Sequence, residues 1–87
     1  MIQYIKLDTM KKVYDFVKIA EKCPLRILIK QYDYVVDAKS VLGICSLDLS
    51  EWLIMDIPNY TKNGLDDYLD DFNKLLEELK GANIVQF

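Results

Sequence analysis

The apolar period of this chain switches repeatedly along its length, and that alternation limits its fold more tightly than any other feature. Val13, Phe16, Val17 and Ala20 recur at i, i+3, i+4 and i+7, which lines them up along one side of an α-helix. From Leu25 the period drops to two: Leu25, Ile27 and Ile29 alternate with Arg26 and Lys30, the pattern of a strand with one face in water. Helical spacing returns in Leu65, Tyr68, Leu69, Phe72, Leu75, Leu76 and Leu79. Helices and strands must therefore share one core, and residues 1–87 form a single domain, since 87 residues leave no room for two.

Local signals place the boundaries. Residues 2–7, IQYIKL, are rich in β-branched and aromatic types and predict a first strand. Asp8 or Thr9 then caps a helix, which Pro24 ends because its ring disfavours helical geometry at Cys23. A second extended run, Tyr34 to Asp37, follows a turn near Tyr32-Asp33 and predicts a hairpin, although the Asn-Gly or Asp-Gly pair of the tightest hairpins is missing. Ser40 caps one or two helical turns in VLGICSL, and residues 52–57, WLIMDI, make the last strand. After Asn63-Gly64 comes the long helix, with Asp66 and Asp67 in its first turn, an Asp70–Lys74 pair at i+4, and Gly81 just beyond its end. The order β-α-β-β-α-β-α predicts an α+β fold, a four-stranded antiparallel sheet with three helices on one face.

Composition removes several chemistries. With no histidine, imidazole bases and His-ligated zinc or haem sites are excluded. Cys23 and Cys45 have neither CxxC spacing nor further thiol partners, so no metal is expected and both are read as buried free thiols. Asp66, Asp67, Asp70 and Asp71 spread over more than one helical face and are read as a solvated surface. Trp52 and the six tyrosines are expected in the core or in cross-strand pairs. A net charge of −3 withholds the electrostatic drive for nucleic-acid binding. That charge is uneven: residues 1–40 carry more Lys and Arg than Asp and Glu, and residues 41–87 the reverse. No apolar run approaches the roughly 20 residues of a bilayer crossing, and charges near the N-terminus interrupt any signal peptide. A cytoplasmic protein is expected, without membrane or nucleic-acid partners and without a cofactor.

The element order and the segment Ala38-Lys39-Ser40-Val41-Leu42-Gly43-Ile44-Cys45-Ser46-Leu47 resemble HPr, the small histidine phosphocarrier of the bacterial sugar phosphotransferase system. The segment is similar to that family's K-S-x-x-G-x-x-S-L stretch, whose serine is a target of a regulatory kinase. The resemblance implies the family's open-faced β-sandwich and makes Ser40 a regulatory phosphorylation site. It also implies that Thr9 stands where the family carries its phosphorylated histidine, and that Lys11 and Lys12 stand where an arginine and a proline follow it.

A threonine hydroxyl is a poor nucleophile without an activating base, so phosphoryl relay through residue 9 is not expected. The helix start with Thr9, Lys11 and Lys12 remains an anion-binding candidate, although a simple cap with two solvated lysines accounts for the same residues. Leu42 and Cys45 are the candidates for partner contact, with Val41 and Leu47 assigned to packing. The chain in this respect resembles the catabolite-repression HPr-like proteins, which lack the histidine and keep the serine, and it is expected to be a non-enzymatic module. Its partner would be a kinase or a transcriptional regulator. The alternatives are a carrier that uses Thr9 or Cys45 as acceptor, and an unrelated binding role on the same fold.

Overall fold

The computed structural model describes residues 2–58 and 65–85, with the backbone alone for 65–69. The order is β1 (Ile2–Ile5), α1 (Met10–Lys22), β2 (Leu28–Gln31), β3 (Tyr34–Asp37), α2 (Val41–Cys45), β4 (Leu53–Asp56) and α3 (Leu65–Gly81). The strands form one antiparallel sheet in the order β1-β4-β2-β3. The expected class, an antiparallel four-stranded sheet with three helices, is therefore the observed one.

Strand register sorts side chains onto two faces. Gln3, Met55, Ile29 and Val36 stand opposite one another across the sheet, as do Ile5 and Leu53 one step along. This face carries the core: Ile5, Ile29, Leu53 and Met55 are fully buried. The stripe predicted on α1 closes over it, since Val13, Phe16, Val17 and Ala20 are all buried and join the same cluster as Leu75 and Leu79 of α3. The opposite face carries Tyr4, Ile54, Lys30 and Val35 in one row and Ile2, Asp56, Leu28 and Asp37 in the next. Lys30 and Asp56 form an ion pair there at 2.6 Å.

Several boundaries differ from expectation for physical reasons. β1 stops at Ile5, and the Lys6 amide instead donates to the Ile84 carbonyl at 3.2 Å, so the tail of α3 takes the place of further strand pairing. β2 starts at Leu28 rather than Leu25; Ile27 is buried but contributes only its carbonyl, which accepts from the Ala38 amide at 3.1 Å. The hairpin turns in two residues, with Tyr32 at φ 54 in the left-handed region usually left to Gly or Asn.

Gly81 is not the residue beyond α3 but its last helical one. The left-handed position falls on Asn83, at φ 62. Its amide donates to the Lys80 carbonyl at 3.1 Å and the Ile84 amide to the Leu79 carbonyl at 2.9 Å, while Leu79 and Ile84 are buried together. That is the Schellman arrangement, with its apolar contact, two residues later than the glycine suggests.

Asp70 and Lys74 do not pair; among the described residues α3 is instead tied to α1 by Lys22 and Glu78 at 2.7 Å. The backbone puts Asp66 and Asp67 in the first turn of α3, as expected; their side chains and those of Leu65, Tyr68 and Leu69, with the preceding Asn63-Gly64, lie outside the described residues. The core placement expected of the aromatics is overturned for the described ones, although Tyr4 does stand in a cross-strand pair opposite Ile54. Tyr4, Tyr14, Tyr32, Tyr34 and Trp52 are all exposed: Tyr14 stands on the outer side of α1, Tyr32 in the hairpin turn, and Tyr4 on a sheet face that no helix covers among the described residues.

Candidate functional site

Two helix starts carry the sequence candidates. At the first, Thr9 is extended, and its Oγ1 accepts from the Lys12 amide at 3.2 Å, so the cap falls on Thr9 rather than Asp8. Asp8 is nonetheless engaged: Lys12 Nζ lies 3.1 Å from its carboxylate. That hydrogen bond, helped by the charge of Lys12, holds the Asp8 carboxyl below its ordinary pKa. Lys11 Nζ donates to Asp15 at 2.7 Å. The structure thus brings Thr9, Lys11 and Lys12 together, but each lysine already faces a carboxylate. An arriving phosphate must displace one of these contacts beside the negative charge of Asp8. Thr9 Oγ1 has the Lys12 amide as its hydrogen-bond partner, and among the described residues no carboxylate or amine takes its proton.

At the second start, Ser40 caps α2. Its Oγ accepts from the Gly43 amide at 3.0 Å, and its carbonyl accepts from the Ile44 amide at 3.0 Å. The approach to this corner is set by Asp37, whose carboxylate accepts the Lys39 amide at 2.8 Å and whose carbonyl accepts the Ser40 amide at 3.1 Å. Gly43 is closely packed: a Cβ there would sit 3.1 Å from Ser40 Oγ and 3.2 Å from Val36 Cβ, so one of them would have to give way. Ser40 is half-buried, with its hydroxyl at the surface end of a five-residue helix.

The helix divides its side chains as the sequence suggests. Ile44 and Leu47 are buried and Val41 packs on the core, whereas Leu42 is 85 % exposed. Cys45 departs from expectation, because its thiol is exposed rather than buried; only Cys23 is covered, and burial raises that thiol's pKa. Cys45 Sγ contacts Met10 Sδ at 4.0 Å. Met10, the first residue of α1, is itself 46 % exposed. Met10, at the start of α1, thus meets Cys45, at the end of α2, and with Leu42 one turn before Cys45 the three form an apolar strip between the two helices, near Ser40. Sequence spacing does not reveal Met10, which precedes the buried stripe of its own helix.

The remaining features lie elsewhere. A shallow open cleft of about 180 Å³ between the end of α1 and α3 is lined by charged side chains and Cys23, away from both helix starts. Among the described residues no group of three or more acidic or cysteine side chains converges as a metal site, and no helix is long and apolar enough to cross a membrane. No family model, no curated protein and no solved structure matches this chain, so its functional reading rests on these two helix starts.

Proposed function

We propose that the chain is an HPr-like regulatory module that docks a protein partner through the strip formed by Met10, Leu42 and Cys45, under the control of phosphorylation at Ser40. The observation that carries this reading is Leu42, a large apolar side chain 85 % exposed one turn from a serine that caps its helix. Exposed leucine on a short helix contributes nothing to the core and is well placed to enter a partner's pocket. The element order matches what the resemblance implies, and Thr9 with a backbone amide as its partner supports a module that does not relay phosphate.

In the regulatory step, Ser40 Oγ attacks the γ-phosphorus of ATP held by a kinase. The bond from that phosphorus to the bridging oxygen breaks, ADP leaves, and the hydroxyl proton passes to the kinase's base. The product adds about −2 charges at a helix N-terminus, where helix amides favour an anion, and beside the apolar strip, where the charge changes which partner fits.

The test is incubation of the purified chain with an HPr kinase and ATP, followed by mass spectrometry and by titration with an HPr-type transcriptional regulator. One phosphate on Ser40, absent from Ser40→Ala, and binding that Leu42→Asp abolishes are the expected results. An unmodified mass together with no binding overturns the proposal.

A further inference from the structure

The sheet face opposite the core is the largest feature that the proposed function leaves unused. By register it presents Ile2, Tyr4, Leu28, Val35 and Ile54 around the Lys30–Asp56 ion pair. Alternation from Ile54 puts Trp52 on the same face, where the Lys6 ammonium lies 5.3 Å from its ring centre. Ile2 is 66 % exposed, Tyr4 59 %, Val35 54 % and Trp52 54 %. Proteins that work as lone monomers rarely leave so continuous an apolar surface in water.

We infer that this face is the interface of a two-fold homodimer, in which the sheets of two copies pack face to face. Area is the first argument. At these exposures the four side chains leave on the order of 500 Å² of mostly apolar surface uncovered. A standard interface removes roughly 800 Å² per partner, somewhat over half of it apolar, so one copy supplies what one side of a stable dimer needs.

Charge is the second argument. Lys30 and Asp56 are 2.6 Å apart near the middle of the face and neutralise one another, so covering them with an apolar surface strands no lone charge. A two-fold axis crossing the line between them at right angles sets each Lys30 against the other copy's Asp56. The same surface is thereby its own electrostatic complement. Asp37, at the outer edge of β3, falls at the rim, and its carboxylate already accepts the Lys39 amide.

Sheets stacked this way lie about 10 Å apart, close enough for Tyr4 and Trp52 to interdigitate with their counterparts. The helices then face outward on both sides. The two Met10–Leu42–Cys45 strips point away from each other, which leaves them free to engage two partners or two sites of one partner. The dimer itself does not depend on the function proposed for those strips.

Sedimentation equilibrium on the full chain, from about 1 to 500 µM, tests the inference, with Trp52 emission as a second readout. The wild type is expected to be dimeric in the upper part of that range, with Trp52 emission shifting to the blue as it is covered. Val35→Lys and Tyr4→Lys, both at exposed positions, are expected to raise the dissociation constant by roughly 30-fold or more, with an unchanged thermal melt at concentrations where the wild type is monomeric. Lys18→Glu, on the exposed side of α1, is expected to leave the dimer intact. A wild type that is monomeric throughout, whether the face stays bare or is taken by another molecule, overturns the inference. So does a dimer that survives both lysine substitutions.

Discussion

Thr9 and Ser40 perform the same local task, each closing the first turn of a helix with a hydroxyl that accepts an amide three residues on. Replacing either with alanine removes that acceptor and is expected to cost about 1 kcal/mol, measured as a lower midpoint in urea unfolding at an unchanged slope. The carboxylates nearby respond to pH. Asp8, through Lys12, and Asp48, through the Ser50 hydroxyl and amide, both have folded pKa values below the ordinary 3.8. A depressed carboxyl pKa stabilises the fold above the unfolded value and loses that effect as pH falls through the folded value. Stability from both groups is therefore intact at neutral pH and drains away below about pH 4. Asp8→Asn and Asp48→Asn are expected to flatten the acid limb of a stability-against-pH curve, and an unchanged limb would show that neither contact forms in solution. These caps were legible in the sequence because a hydroxyl before a helical stripe has few other local roles. The lysine–carboxylate pairs were not, because Lys11 and Lys12 each have more than one acidic residue within reach.

At the scale of the element, the two described glycines inside helices make opposite predictions. Gly81 lies in the last turn of α3 with open space where a Cβ would go, and its φ is ordinary. Gly81→Ala is expected to stabilise the protein by about 0.5–1 kcal/mol, the usual helical preference for alanine. Gly43 sits against Ser40 and Val36, and neither neighbour is the free end of a long chain. Gly43→Ala is expected to lose about 1 kcal/mol or more, since a clash with strand β3 outweighs the propensity gain. Thermal melts of the two variants check the pair, and a shared sign refutes the packing argument. Helix existence was readable here from apolar spacing, whereas the end of α3 was not. Gly81 looked like the natural terminator, yet the buried contact of Leu79 with Ile84 carries the helix on to a left-handed Asn83.

Across the whole molecule, what the sequence leaves unspecified is held by contacts between distant residues. Gln31 is the one buried polar side chain among the described residues; its amide donates to the Asp48 carbonyl at 2.8 Å and its Oε1 accepts the Asp48 amide at 2.8 Å. It imitates a strand partner for a loop that has none. Gln31→Leu leaves both Asp48 backbone groups without that partner and is expected to cost about 1–3 kcal/mol. Amide exchange should then speed up locally at residues 48–51; uniform loosening would argue against a specific clamp. Such a pairing across the chain cannot be read from spacing, and neither can the bare face of the sheet. Alternation in β1 and β4 shows that these strands have two faces, but not that one stays uncovered by helices.

The oxygen that seals α2 is also the only nucleophile Ser40 can offer. In the proposed phosphorylation a kinase would have to draw this hydroxyl out of its bond to Gly43, and the five-residue helix behind it has too little length to hold itself closed. The rate of that proposed modification would accordingly track how often the turn frays. A substitution that stiffens the turn, remote from any enzyme's grip, would slow that proposed step as surely as one that blocks the enzyme.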